Sequence, residues 1–156
     1  MAICFNMHVF EGSGMSETSA HCAVQSIHTM NFGAIGEALD KNTQMRIKSI
    51  PEMGYLVTDE QILDYGGHQE KVVCPRGELL LKGPSIFSGY YKDEQKTKES
   101  FTEDGWFMTG DIAMFDPVLN VAKLIDRKRG IVKLSQGEFI SINSIEDAIS
   151  KSRFVE

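Results

Sequence analysis

A chain of 156 residues has room for one domain and is short for two, since domains cluster near ~100–150 residues. Against 16 Lys plus Arg stand 22 Asp plus Glu, a formal net charge of −6, which argues against nucleic acid or anionic lipid surfaces as general partners. An apolar share of 42% is enough for a core and excludes wholesale disorder, and no apolar run approaches the ~20 residues of a membrane helix.

Phe5 to Phe10 is an apolar-rich run stopped by the glycine turn Glu11-Gly12-Ser13-Gly14, which predicts a strand leaving a core. Met1 to Phe10 has no basic start, so no signal peptide is expected. Ser16 can cap a short helix running to about Val24, with Glu17 in its first turn. Gly33 and Gly36 mark a loop, and Met45 to Lys48 alternates apolar and charged residues as a half-exposed strand does. Residues 58–70 are polar, contain Gly66-Gly67 and read as a variable loop. Val72-Val73 and Glu78 to Lys82 flank a Pro75-Arg76-Gly77 turn, and the continuous run Leu79-Leu80-Leu81 predicts a strand covered on both faces.

Further on, Asp93 caps a short helix reaching Phe101. Trp106 to Thr109, Ile112 to Phe115 and Val121 to Ile125 read as strands, with Asp116-Pro117 starting a turn. Asn143 or Ser144 can cap a last helix that keeps Ile145, Ala148 and Ile149 on one face. These short runs and turn signals predict a mixed α/β chain dominated by antiparallel strands between about residues 43 and 125. Cys4, Cys22 and Cys74 form an odd set without a C-x-x-C pair, so thiols in a reducing compartment are expected rather than a disulfide framework or a zinc site. The histidines, His8, His21, His28 and His68, show no metal-ligand spacing.

Three glycine-bounded motifs bear chemistry. In Gly12-Ser13-Gly14-Met15-Ser16-Glu17-Thr18, glycines let backbone approach a flat or phosphorylated ligand, while hydroxyls at Ser16 and Thr18 beside Glu17 suit phosphate oxygens and a hard cation such as magnesium. The same residues also describe a capped helix after a tight turn, with Glu17 favoured by the helix dipole. In Asp104-Gly105-Trp106-Phe107-Met108-Thr109-Gly110-Asp111, a carboxylate stands between two apolar runs, where it needs partners. Accepting from two adjacent ribose hydroxyls is one way to supply them, and a turn aspartate bonded to its own backbone is the other. The third motif, Ile125 to Lys133 followed by Gln136-Gly137-Glu138, gathers Arg127, Lys128, Arg129 and Lys133 within seven residues. Such a cluster complements a polyphosphate or forms a solvated basic edge.

Taken in order, these motifs resemble the adenylate-forming (AMP-binding) enzymes, and within them the long-chain fatty-acyl-CoA synthetases. That family carries a Gly-Tyr-Gly-x-Thr-Glu segment, then Gly-Glu-Leu leading through Gly-Pro to Gly-Tyr, then Asp-Gly-Trp-x-x-Thr-Gly-Asp, then Ile-Asp-Arg-Lys-Lys with Gln-Gly-Glu-Tyr-Ile. Here stand Gly12 to Glu17, Gly77-Glu78-Leu79 through Gly83-Pro84 to Gly89-Tyr90, Asp104 to Asp111, and Ile125 to Ile140. Ser13 replaces an aromatic residue of the family and Ser16 a threonine.

The resemblance implies roles. Gly12, Ser13 and Gly14 would line adenine, with Ser16 beside them, and Glu17 would act in catalysis by holding Mg2+. Asp111 and Arg127 would bind the ribose of ATP or AMP. Arg129 would be the hinge, Lys133 a catalytic lysine on the loop that approaches the adenylate, and Gly137 part of the CoA channel. Residues 1–125 would be the C-terminal part of a large AMP-binding domain, including an antiparallel β-barrel-like subdomain, and 126–156 the hinge and start of a small domain. ATP, CoA and a long-chain fatty acid would be the substrates, with no nucleic acid as partner. The family's phosphate loop with its lysine, and a further catalytic lysine, belong outside these residues, so the isolated chain is expected to be inactive. Its place would be the cytoplasmic side of the cell, at a membrane such as the endoplasmic reticulum reached through regions outside the chain. A non-catalytic remnant that binds a nucleotide or a protein partner is the competing expectation.

Overall fold

The computed structural model describes residues 7–28, 31 and 33–152. Its centre is a seven-stranded sheet in the order β1-β2-β3-β9-β8-β7-β4, every pairing antiparallel. The strands are β1 (Gly12–Met15), β2 (Ala20–Val24), β3 (Ala34–Ala38), β4 (Gln44–Lys48), β7 (Arg76–Lys82), β8 (Phe107–Asp116) and β9 (Val121–Arg127). Two hairpins stand outside it: β5 (Glu60–Asp64) with β6 (Gln69–Val73), and β10 (Ile131–Lys133) with β11 (Phe139–Ser141). Helix α1 covers Glu94–Glu99 and α2 covers Ile142–Ser150. The sheet is open, because its edge strands β1 and β4 do not pair with each other, so the barrel-like part stops short of closure.

Burial explains the strand pattern. Leu79, Leu80 and Leu81 are all at most 1% exposed, which requires cover on both faces of β7, as the apolar run predicts. One core joins Cys22, Ile35, Leu79, Leu81 and Phe107, with Phe87 and Phe101 packed against it. Phe87 meets Phe107 edge-on at 5.4 Å between ring centroids, an arrangement that suits the ring quadrupoles. A second, smaller core of Ile50, Ile112 and Ile131 takes in Phe139 and so seats the β10–β11 hairpin. The β5–β6 hairpin is tied down by Tyr65, whose hydroxyl donates to Asp116 at 3.1 Å. Asp116 is fully buried, also accepts from the backbone N–H of Val118 and Leu119, and faces Lys123 Nζ at 3.6 Å. Among the described residues no helix is long and apolar enough to cross a membrane.

Several expectations are corrected. Ser16 to Val24 is a 3-10 turn over Ser16–Thr18 followed by β2, since Ser19 (φ 55°) and Ala20 (φ 98°) leave the helical region. Residues 58–70 contain β5 and the start of β6, with Gly66-Gly67 as the hairpin turn. Pro75-Arg76-Gly77 is not a turn: Arg76 and Gly77 already belong to β7, which pairs with β4 and β8. Gly36 lies inside β3, and the two runs about Gly110 form one strand with an irregular register on each side. Residues 7–10 have no regular structure, while Phe5 and Cys4 lie outside the described residues. The last helix begins at Ile142, one residue before the expected caps, and Asn143 donates its side-chain amide to Asp126 at 2.6 Å. Asp93 caps α1 as expected, accepting from Lys96 N at 3.0 Å.

Candidate functional site

A cleft of about 910 Å³ opens where the 3-10 turn, Tyr90, α1, the middle of β8 and the segment after β9 converge. Its sides carry Glu17, Glu78, Lys96, Arg127, Lys128 and Arg129. The register of β8 against β9 sets Asp111 opposite Arg127, and Arg127 Nε lies 2.9 Å from Asp111 Oδ1. Asp111 is 3% exposed. Its backbone N–H donates to the Thr109 hydroxyl at 3.0 Å, and that hydroxyl donates to the Leu79 carbonyl at 2.8 Å. Thr109 thereby pins the strand beside the carboxylate.

Burial pushes the Asp111 carboxyl above its ordinary range, Arg127 opposes this, and Glu78 adds to it. Glu78 is itself buried and is matched by Lys128 Nζ at 2.9 Å. Two carboxylates on neighbouring strands are thus held by two consecutive cations. The Arg127 side chain is 62% exposed and lines the cleft, whereas Asp111 lies behind it and is not itself part of the lining.

Glu17 stands across the cleft. The Tyr90 hydroxyl donates to Glu17 Oε1 at 2.8 Å, and Phe87 N–H donates to the Glu17 carbonyl at 2.9 Å. Desolvation raises the Tyr90 phenol above its usual value, and the bond to Glu17 raises it further. Lys96 Nζ sits 4.0 Å from the Tyr90 ring centroid, within cation–π range.

The other sequence-predicted residues divide. Gly12 and Gly14 line a shallow depression together with Ser16, which also borders the main cleft, whereas Ser13 lies on the opposite face of β1 and its carbonyl accepts from Cys22 Sγ. Gly14 answers to the fold itself, since a Cβ there would fall 1.8 Å from the Ala20 carbonyl oxygen of the paired strand. Thr18, expected to face a phosphate, is fully buried and its hydroxyl closes the turn onto the backbone of Met15 and Ala20. Arg129 lines the cleft. Lys133 lies on β10 with Nζ 5.4 Å from the Phe139 ring, and Gly137 is in the β10–β11 turn; neither lines the cleft.

Sequence reasoning missed Asp126. It is 8% exposed and accepts from Arg127 N–H at 2.6 Å, from Asn143 at 2.6 Å and from the Ser141 hydroxyl. It also missed Tyr90 and Glu78 as site residues. An acidic residue directly before the apolar run Leu79–Leu81, Glu78, was the signal available for one of them.

No protein-family model matches the chain. It is 39% identical over 155 residues to long chain acyl-CoA synthetase 7, peroxisomal, of Arabidopsis thaliana, covering 99% of this chain and 20% of that protein. With fatty acyl-CoA synthetase A of Dictyostelium discoideum it shares 38% identity over 151 residues, 97% of this chain and 20% of that one. Among solved structures, the A-PCP didomain of carboxylic acid reductase from Segniliparus rugosus in complex with AMP superposes with a TM-score of 0.75 and 28% identity, over 99% of this chain and 18% of that one. The adenylation domain of a carboxylate reductase from Mycobacterium chelonae gives a TM-score of 0.74 at 28% identity, over 100% of this chain and 21% of that one. The chain spans about one fifth of the length of these relatives.

Proposed function

Since this chain is homologous to about one fifth of the long-chain acyl-CoA synthetases and has the adenylation-domain fold, we propose that it forms the ribose- and metal-binding part of an ATP-dependent long-chain fatty acid:CoA ligase. The observation that carries this is Asp111: a buried carboxylate beside the cleft-lining Gly110, paired with the exposed guanidinium of Arg127, in a motif shared with that family. Asp111 accepts the ribose hydroxyls and Arg127 moves onto the same sugar. Gly12, Gly14 and Ser16 offer the surface for adenine, while Ser13 faces away from it.

Glu17 suits Mg2+, because magnesium is usually held by one or two carboxylates together with substrate phosphates and waters. Glu17 meets no cation of its own among the described residues, and bound magnesium would there neutralise phosphate charge. In the reaction the fatty carboxylate displaces pyrophosphate from the α-phosphate of ATP, giving acyl-AMP, and the CoA thiol then displaces AMP. Positioning and charge neutralisation do this work without a protein nucleophile.

Residues 126–156 form the hinge and the start of the small domain, with Arg129 at the turning point. Lys133 and Gly137 reach the adenylate and the CoA channel only when that segment rotates. In the parent-length protein, Asp111→Ala or Glu17→Ala reduces pyrophosphate release by about 100-fold or more, the scale of losing one charge-stabilising group. Near-normal release in both variants refutes the assignment. The 156 residues alone, given ATP, magnesium, palmitate and CoA, yield no palmitoyl-AMP or palmitoyl-CoA, because the groups that neutralise the remaining phosphate charge lie elsewhere.

A further inference from the structure

We propose that Tyr90 is a positioning residue for Glu17: its hydroxyl holds Oε1 so that Oε2 is presented to a divalent cation carried by the nucleotide. This rests on the reading of the cleft as a nucleotide site. The two residues are 73 positions apart, and both ends of their 2.8 Å bond are held, with Phe87 touching each of them. On one side, Phe87 N–H holds the Glu17 carbonyl at 2.9 Å. On the other, Tyr90 N–H donates to Thr97 Oγ1 at 2.8 Å, and its ring packs edge-on against Phe87 at 4.9 Å with Lys96 Nζ over its face. The neighbouring Tyr91 is 88% exposed, so the seat belongs to Tyr90 alone of the pair.

The charges in the cleft support the same conclusion. Arg127 is matched by Asp111 and Lys128 by Glu78, whereas Glu17 forms no ion pair among the described residues. A carboxylate fixed by a neutral donor keeps its full charge for an incoming cation. Had a lysine held it, binding a metal would require breaking an ion pair. Partners that orient a metal ligand in this way are worth about 10–100-fold in metal affinity.

The test uses the 156-residue chain and Mn2+ as the probe, with free Mn2+ read by electron paramagnetic resonance at a fixed ATP concentration. Uptake of Mn2+ beyond that by ATP alone is expected for the wild type, is abolished in Glu17→Gln, and is weakened about 10–100-fold in Tyr90→Phe. In Tyr90→Phe the loss of Mn2+ uptake exceeds any loss of metal-free ATP affinity by about tenfold or more, a split that a merely structural role would not produce. If Tyr90→Phe retains wild-type uptake while Glu17→Gln abolishes it, the positioning role is refuted and the nucleotide reading stands. If the wild type shows no uptake beyond ATP alone, the nucleotide reading falls and takes this inference with it. Should Tyr90→Phe fail to fold, Thr97→Val decides: it loosens the Tyr90 backbone while retaining the phenol, a severalfold loss supports the role, and no loss overturns it.

Discussion

Asp126→Ala should release the C-terminal segment while leaving the sheet intact. The Asp126 carboxylate joins the end of β9 to the end of β11 and the start of α2 through Ser141 and Asn143. Hydrogen bonds to a charged acceptor contribute about 1.5–3 kcal/mol each. Ser141 is half-buried and Asn143 exposed, so water replaces much of what is lost and the lower figure applies. Two such bonds give about 3 kcal/mol, which corresponds to roughly a 100-fold increase in local opening at 1.4 kcal/mol per tenfold. Ile131 and Phe139 still pack on Ile50 and Ile112, so the segment opens locally without the chain unfolding. Hydrogen exchange read by mass spectrometry should show faster exchange across residues 131–150, with β7 unchanged. Asp126→Asn, which keeps one carbonyl acceptor, should lie between. Exchange within threefold of wild type in 131–150, or an equal acceleration in β7, would refute the clamp.

Three further outcomes follow from the packing and the charges. Burial raises the Asp111 carboxyl above its ordinary 3.8, so its ionised form is disfavoured in the fold and wild-type stability falls as pH rises through the raised value. Asp111→Asn should therefore melt higher than wild type at pH 7, with the difference vanishing below about pH 3.8; a lower melting temperature at pH 7 contradicts this. Gly36 has φ +84°, and a Cβ there would lie 2.2 Å from the Val24 backbone, so Gly36→Ala should cost about 3 kcal/mol or more and lower the Tm by about 6–12 °C. Gly66→Ala, equally left-handed but in open space, should cost about 1 kcal/mol, and equal losses in the two would discount the clash. Cys22 and Cys74 are at most 1% exposed with thiols raised by burial, so iodoacetamide at pH 8 should label them only in denaturant.

Features set by local chemistry were legible before the fold was known. The Leu79–Leu81 run, the alternation of β4 and the Asp93 cap depend on near neighbours, and the structure has each of them. Asp111 announced itself as a carboxylate within apolar strands. The turn after Ser16 was read as a helix because Ser19 and Ala20 take positive φ with neither glycine nor proline to mark the break. The β5 strand was hidden by its exposure: Ile62 is 69% exposed and both faces carry polar residues, so no inward stripe appears. Tyr90, Glu78 and Asp126 acquire their roles from partners 73, 50 and 15–17 positions away, and such distances leave no periodic trace.

The β5–β6 hairpin makes the molecule a ready host for added sequence. Its five register pairs, Glu60↔Val73 through Asp64↔Gln69, are satisfied within the hairpin, and Tyr65, the first residue of its turn, is bonded to Asp116. At Gly66 and Gly67 a grown side chain meets nothing within 4 Å. Lengthening a loop costs only about 0.6 kcal/mol per doubling. A fluorophore-labelling peptide spliced between those glycines, which are not part of the cleft lining, would give a reporter of the molecule's rotational diffusion without a cysteine introduced into the sheet.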